Sequence, residues 1–233
     1  SRGRREGLLT ALWIPPARRT CQRLMRVSWP MGLQAALEMA AWTVFTIFIA
    51  RLGSVEAAVQ AVVAQLMGIA YMSSYGVSLA ATTLVGQYLG TRDLPAAWRS
   101  ALTSLKFGLL LLGTFALGFW CVRQPLMRLT TADPAVGALG ADLMAPMVVF
   151  LIFDGLGLVA MGILRGAGDT RWPMWVGLGV NWLVFVPMAA WVLLGEHATM
   201  MAGRWVGLFY VALQASCMVG RVWHGGWQHR QLV

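Results

Sequence analysis

Glu38 and Asp154 fall well inside apolar stretches of a 233-residue chain. A carboxylate at the centre of a bilayer costs about 2.5–3.5 kcal/mol or more, so neither is expected to face lipid. No Lys or Arg is predicted to share the membrane interior with them. Two carboxyls without a basic partner suit one chemistry above others, the uptake and release of a proton or small cation. Gln34 and Trp42 lie one turn before and one turn after Glu38 and share its inward face. Phe150 lies one turn before Asp154, and Asn181 sits in a later apolar stretch. These four are candidates for the wall of a cavity, with core packing and interhelical hydrogen bonding as the plainer alternative. For the two acids the plainer alternative is a pair of protonated carboxyls satisfied by neighbouring helices.

The elements that must position them are helices in a membrane. Of the chain, 58% is hydrophobic and 12% charged, against roughly 25% charge in a soluble domain. Apolar stretches near the ~20 residues needed to span hydrocarbon recur six times. They run over about 31–50, 57–84, 101–122, 143–164, 173–194 and 203–220, and many of the 12 Trp sit near their ends, as interfacial aromatics do. Pro30 suits the start of the first, and Gly90 supplies a left-handed stop for the second. Asp169 or Thr170 can cap the fifth, with Pro173 in its first turn. Counted from Pro30 and Leu164, Glu38 and Asp154 lie about 12 and 15 Å from the same membrane face at 1.5 Å per residue. The two acids therefore share one level.

Charge orients the bundle. If both termini are cytoplasmic, 14 of the 18 Lys and Arg lie inside, and only Arg51, Arg123, Arg128 and Arg204 lie outside. The net charge of +9 thus reflects topology rather than a nucleic-acid face, since the basic residues punctuate apolar runs. Glu56, Asp133, Asp142 and Glu196 fall near the outer ends and are expected in water. Cys21, Cys121 and Cys217 show no metal spacing and read as small apolar side chains. His224 and His229 read as hydrated tail residues. The chain begins with Ser, as a fragment or processed product would, and residues 7–14 are too short an apolar run for a signal peptide. The expected organisation is a basic cytosolic linker or surface helix over 1–29, a transmembrane lobe over 30–222 and a cytosolic tail over 223–233.

Four segments then occur in a telling order. LVGQYLG at 84–90 with Asp93, TADPAV at 131–136, LRGAGDTR at 164–171 with Pro173 and Met174, and the basic tail 221–231 with Gly226 and Trp227 lie along the chain. Together they resemble the loops of the MATE (multidrug and toxic compound extrusion) family, in its NorM-like branch, over about 30–231. The tail resembles the end of the C-terminal lobe. The resemblance implies an all-α membrane protein, with six transmembrane helices forming one lobe of a two-lobe transporter. It implies export of amphiphilic organic cations in exchange for H+ or Na+, with an N-terminal lobe and the lipid bilayer as partners. It assigns the cation-coupling site to Glu38 and Asp154, which match the family's acids eight residues after a Pro and eleven before the LRG arginine. It implies no cofactor, and no metal beyond Na+ at that pair. Phe150 and Gly157 depart from the Tyr and Gln frequent in that branch, and the missing phenol favours protons over sodium.

Physically, the same loops are scaffold: Gly86 and Gly90 form a small-xxx-small pair that lets backbones approach in lipid. No HExxH, GxSxG or phosphate loop lies in the spans, so an enzyme is not expected. The alternatives are a flippase for lipid-linked or polysaccharide cargo, for which a basic cavity would be expected, and a non-transporting assembly subunit.

Overall fold

The computed structural model describes residues 18–227 apart from 132 and 197. Among these the fold is helical throughout, with six helices long and apolar enough to cross a membrane. They are α1 (Arg18–Ala50), α2 (Ser54–Gly90), α3 (Leu94–Cys121), α6 (Met144–Gly166), α7 (Arg171–Leu193) and α8 (Met200–Trp223). Two short helices, α4 (Arg123–Thr130) and α5 (Pro134–Asp142), fill the connection between α3 and α6, where the sequence predicted only a turn.

The ends of these helices correct several expectations. α1 does not begin at Pro30 but runs through it from Arg18. The ring forfeits one backbone hydrogen bond, a loss membrane helices tolerate. Residues 18–29 are therefore continuous with the first span rather than a separate linker; residues 1–17 lie outside the described part. At the end of α2 the left-handed residue is Arg92, at φ 60°, not Gly90. Asp93 N–H donates back to the Tyr88 carbonyl at 2.9 Å, and the Asp93 side chain then caps α3 by accepting from Ala96 N–H at 3.0 Å. α6 stops in a Schellman turn. Gly168 takes φ 75°, its N–H donates to the Arg165 carbonyl at 2.9 Å, and Asp169 N–H donates to the Leu164 carbonyl at 2.8 Å. Neither Asp169 nor Thr170 caps α7. The Asp169 carboxylate instead accepts two hydrogen bonds from Arg221, at 3.0 and 3.1 Å.

α6 is the hub of the bundle, packing on α2, α3 and α8. Its seam with α2 is lined by small residues. Ser78 Oγ donates to the Leu158 carbonyl and Thr82 Oγ1 to the Gly162 carbonyl, both at 2.8 Å. A Cβ on Gly162 or Gly166 would press within 3.0 Å of the α2 backbone, and one on Gly86 would meet the Gly166 carbonyl at 3.2 Å. Gly86 thus makes the close approach its spacing predicted, whereas Gly90 faces open space. α1 leans on α7 and lightly on α2 but stands off α6, and that gap becomes the site.

The apolar core has two main parts. One gathers Phe45, Ile49, Met144, Phe185 and Tyr210, and the other Val85, Ile163, Met218 and Trp227. Trp227 belongs to the segment expected as tail, yet it is fully buried, stacks on Trp98 and donates Nε1–H to the Val222 carbonyl at 2.8 Å. The chain after α8 thus folds back onto the bundle before residues 228–233, which lie outside the described part.

Candidate functional site

α1, α2, α6 and α8 together line a half-open cavity of about 530 Å³. Glu38 reaches it from α1 and Asp154 from α6, so two acids 116 positions apart in sequence open into one space. They lie within electrostatic reach of each other. Asp154 can occupy this level because α6 is held at close range by the Ser78 and Thr82 hydrogen bonds, which fix its depth against α2.

The wall is aromatic. Trp42 sits edge-on to Phe150 at 5.8 Å and to Phe45 at 5.6 Å, and Phe185 and Tyr210 stack behind it at 4.4 Å. Edge-to-face pairs of this kind fix ring orientation as well as burying area. A Cβ on Gly207 would make only ordinary contact with the Phe150 ring, at 3.9 Å. At position 157 a Cβ would stand 3.3 Å from the Ala215 backbone of α8, a few tenths of an ångström closer than ordinary contact.

Of the four residues predicted as cavity wall, Trp42 and Phe150 line it, and Gln34 and Asn181 do not. Gln34 is buried one turn below Glu38, donating to Met161 Sδ at 3.4 Å and accepting from Arg165 Nη2 at 3.5 Å. Asn181 is buried behind the aromatic wall. It is the second residue of a π-helical turn, Val180–Phe185, in which Val186 N–H donates to the Asn181 carbonyl. Pro187 follows and has no N–H to offer the previous turn, so the widened turn takes up the break.

The expectation that the acids have no basic neighbour is wrong in two respects. Arg165, at the end of α6, is within electrostatic reach of Glu38. Arg204, expected in water, lines the acid cavity and donates from Nη2 to Gln60 Oε1. Gln60, Met67 and Tyr71 of α2 also line the cavity and were missed, because α2 is apolar on all sides and its cavity face carries no periodic signal. Glu196 and the Asp133 and Asp142 side chains are exposed, with Asp133 capping α5 through Ala135 N–H at 2.8 Å. His224 is exposed, and His229 lies outside the described residues.

A profile of the MatE family matches residues 30–191, most of the chain and all but the last of its spans. The chain belongs to the MatE family. Solved proteins that share its fold are described as transporters. It is 31% identical over 216 residues to the probable multidrug resistance protein NorM of Aromatoleum aromaticum, covering 91% of this chain and 47% of that protein. It is 33% identical over 198 residues to the NorM of Pseudomonas aeruginosa, covering 83% and 40%. Among solved structures, the Vibrio cholerae MATE transporter VcmN in its bent form superposes with a TM-score of 0.81 at 16% identity, covering 88% of this chain and 47% of that one. The eukaryotic MATE transporter AtDTX14 gives 0.79 at 20% identity, covering 92% and 49%. The MatE chain therefore spans less than half the length of the relatives it matches, and its fold is that of one lobe of those proteins.

Proposed function

We propose that this chain is the C-terminal lobe of a cation-driven multidrug exporter, with both termini in the cytoplasm of a plasma or inner membrane. Its cavity exchanges amphiphilic organic cations for H+ or Na+ at Glu38 and Asp154. The observation that carries this reading is the meeting of those two carboxyls, from α1 and α6, in one aromatic-walled cavity. Acids attract an organic cation through charge, and Trp42 and Phe150 offer ring faces for cation–π contact and for its apolar body. A small cation or proton at the carboxyls would cancel the charge that holds the drug. Mutual exclusion of that kind is what antiport requires. Phe150 brings no oxygen ligand, which favours protons over sodium. The relatives' names, multidrug resistance proteins, agree with this class of cargo. A flippase for anionic cargo fits less well, because acids outnumber Arg204 in the cavity.

In vesicles holding the intact transporter, Glu38→Gln and Asp154→Asn keep side-chain size and remove charge. Each is expected to abolish gradient-driven drug export while the protein still inserts. Export at the original rate from both variants would end the coupling assignment.

A further inference from the structure

Arg204 is out of place in an acidic, apolar cavity. It lies in the second turn of α8 and lines the same space as Glu38 and Asp154. Its Nη2 donates to Gln60 Oε1, while its Nε is buried and has no hydrogen-bond partner among the described residues. Among the described residues no carboxylate lies within 4.0 Å of it, and the one ion pair is Arg221 with Asp169. A guanidinium carries five N–H donors in a rigid fork, and one amide oxygen answers a small part of that capacity. A half-buried guanidinium whose Nε is shut off from water and unpaired is costly unless something else completes it.

The cavity is also polar along its length. Thr46 lies two helical turns beyond Glu38 on α1, about 12 Å along the axis. Gln60, which holds Arg204, lies about 16 Å from Tyr71 along α2 by the same rise. All four residues line the cavity, so its acids gather toward one end and Arg204 toward the other, with Trp42 between Glu38 and Thr46. A ligand that satisfies both ends has an amine or other cation at one end of an aromatic body and a carboxylate at the other. The planar fork of Arg204 matches that carboxylate in two parallel hydrogen bonds.

We propose that Arg204 is a specificity-determining residue: it reads a carboxylate on the cargo, so the cavity prefers amphiphiles carrying both a cation and a carboxylate over purely cationic ones. The inference rests on the reading that drug enters this cavity. It goes beyond it by naming which cargo is preferred and the residue that selects it.

Rhodamine 110 and rhodamine 123 test it, since they share one cationic xanthene body and differ by a free carboxylate against its methyl ester. Fluorescence anisotropy would measure both dyes on the purified intact transporter in detergent. The wild type should bind rhodamine 110 more tightly. Arg204→Met should weaken rhodamine 110 by roughly ten- to a hundredfold, the span expected for losing hydrogen bonds to a charged group, and leave rhodamine 123 within about twofold. Arg204→Lys, which keeps the charge without the fork, should retain part of the preference. An unchanged ratio of the two affinities in Arg204→Met overturns the proposal. So does an equal loss for both dyes, which would make Arg204 a mere tether between α8 and α2. Glu38→Gln is the separate arm. It should weaken both dyes alike through their shared cation, and unchanged binding there would sink the proposed function whatever Arg204→Met does.

Discussion

Replacing Gly162 by Ala tests how the bundle sets the depth of Asp154. The added Cβ would stand closer than 3.0 Å to the Ser78 carbonyl and hydroxyl on α2, whereas ordinary van der Waals contact begins near 3.4 Å. The helices must therefore part by at least ~0.4 Å, and a carbonyl oxygen in a helix cannot swing away as a side chain can. Overpacking of this kind costs about 1–3 kcal/mol. The shift also strains two interhelical hydrogen bonds, Ser78 to Leu158 and Thr82 to Gly162, each 2.8 Å long. Interhelical hydrogen bonds in membranes average about 0.6 kcal/mol, which brings the expected loss to about 2–4 kcal/mol. Gly76→Ala is the control, on α2 itself. A Cβ there meets nothing within 4 Å, and alanine gains up to ~1 kcal/mol over glycine in a helix. Thermal unfolding of the two variants in detergent, followed by tryptophan fluorescence, should show Gly162→Ala well below wild type and Gly76→Ala at or above it. Equal midpoints for the two variants would refute the claim that α2 and α6 meet through a seam with no room for a methyl group.

Arg221→Met should destabilise the protein by about 1.5–3 kcal/mol, the worth of hydrogen bonding to a charged group, because it removes both hydrogen bonds that Arg221 gives the fully buried Asp169 carboxylate. Adding Asp169→Asn should recover part of that loss in the same melt. Trp227→Ala should cost about 3–5 kcal/mol as a large-to-small core change, despite lying beyond the last helix, and the same measurement checks it. Single cysteines at Thr91 and Thr131, in a background without native Cys, should be labelled by a membrane-impermeant maleimide from opposite sides of the membrane. Labelling from one side would break the six-span map.

Most of the architecture was legible because membrane spans announce themselves by length and apolarity. The six stretches all became helices, with ends shifted by a few residues to about thirteen at Pro30. That largest error came from treating proline as a start signal where the helix simply absorbs it. The α4 and α5 helices escaped notice because each is under ten residues, too short to show a periodic pattern. That Glu38, Asp154, Trp42 and Phe150 line one cavity was legible because acids in apolar spans are rare and their helical neighbours follow from a 3.6-residue repeat. Arg204 was missed for the same kind of reason. It stands near a helix end, where basic residues are ordinarily in water, and only the packing of α8 against α2 carries it inward. Gln34 and Asn181 were placed one layer too far forward. Spacing along one helix fixes a face, but it does not say whether the neighbouring helix covers that face, as α6 and α7 do here.

The central claim is that drug and coupling ion compete for Glu38 and Asp154, and competition is measurable without transport. Tetraphenylphosphonium binding to the intact transporter in detergent can be titrated while pH and sodium are varied separately. The wild type should bind the probe more weakly as the coupling ion is raised, and the Glu38→Gln/Asp154→Asn double variant should bind it with an affinity indifferent to both. A wild type insensitive to both ions, or a double variant as sensitive as the wild type, would contradict the account.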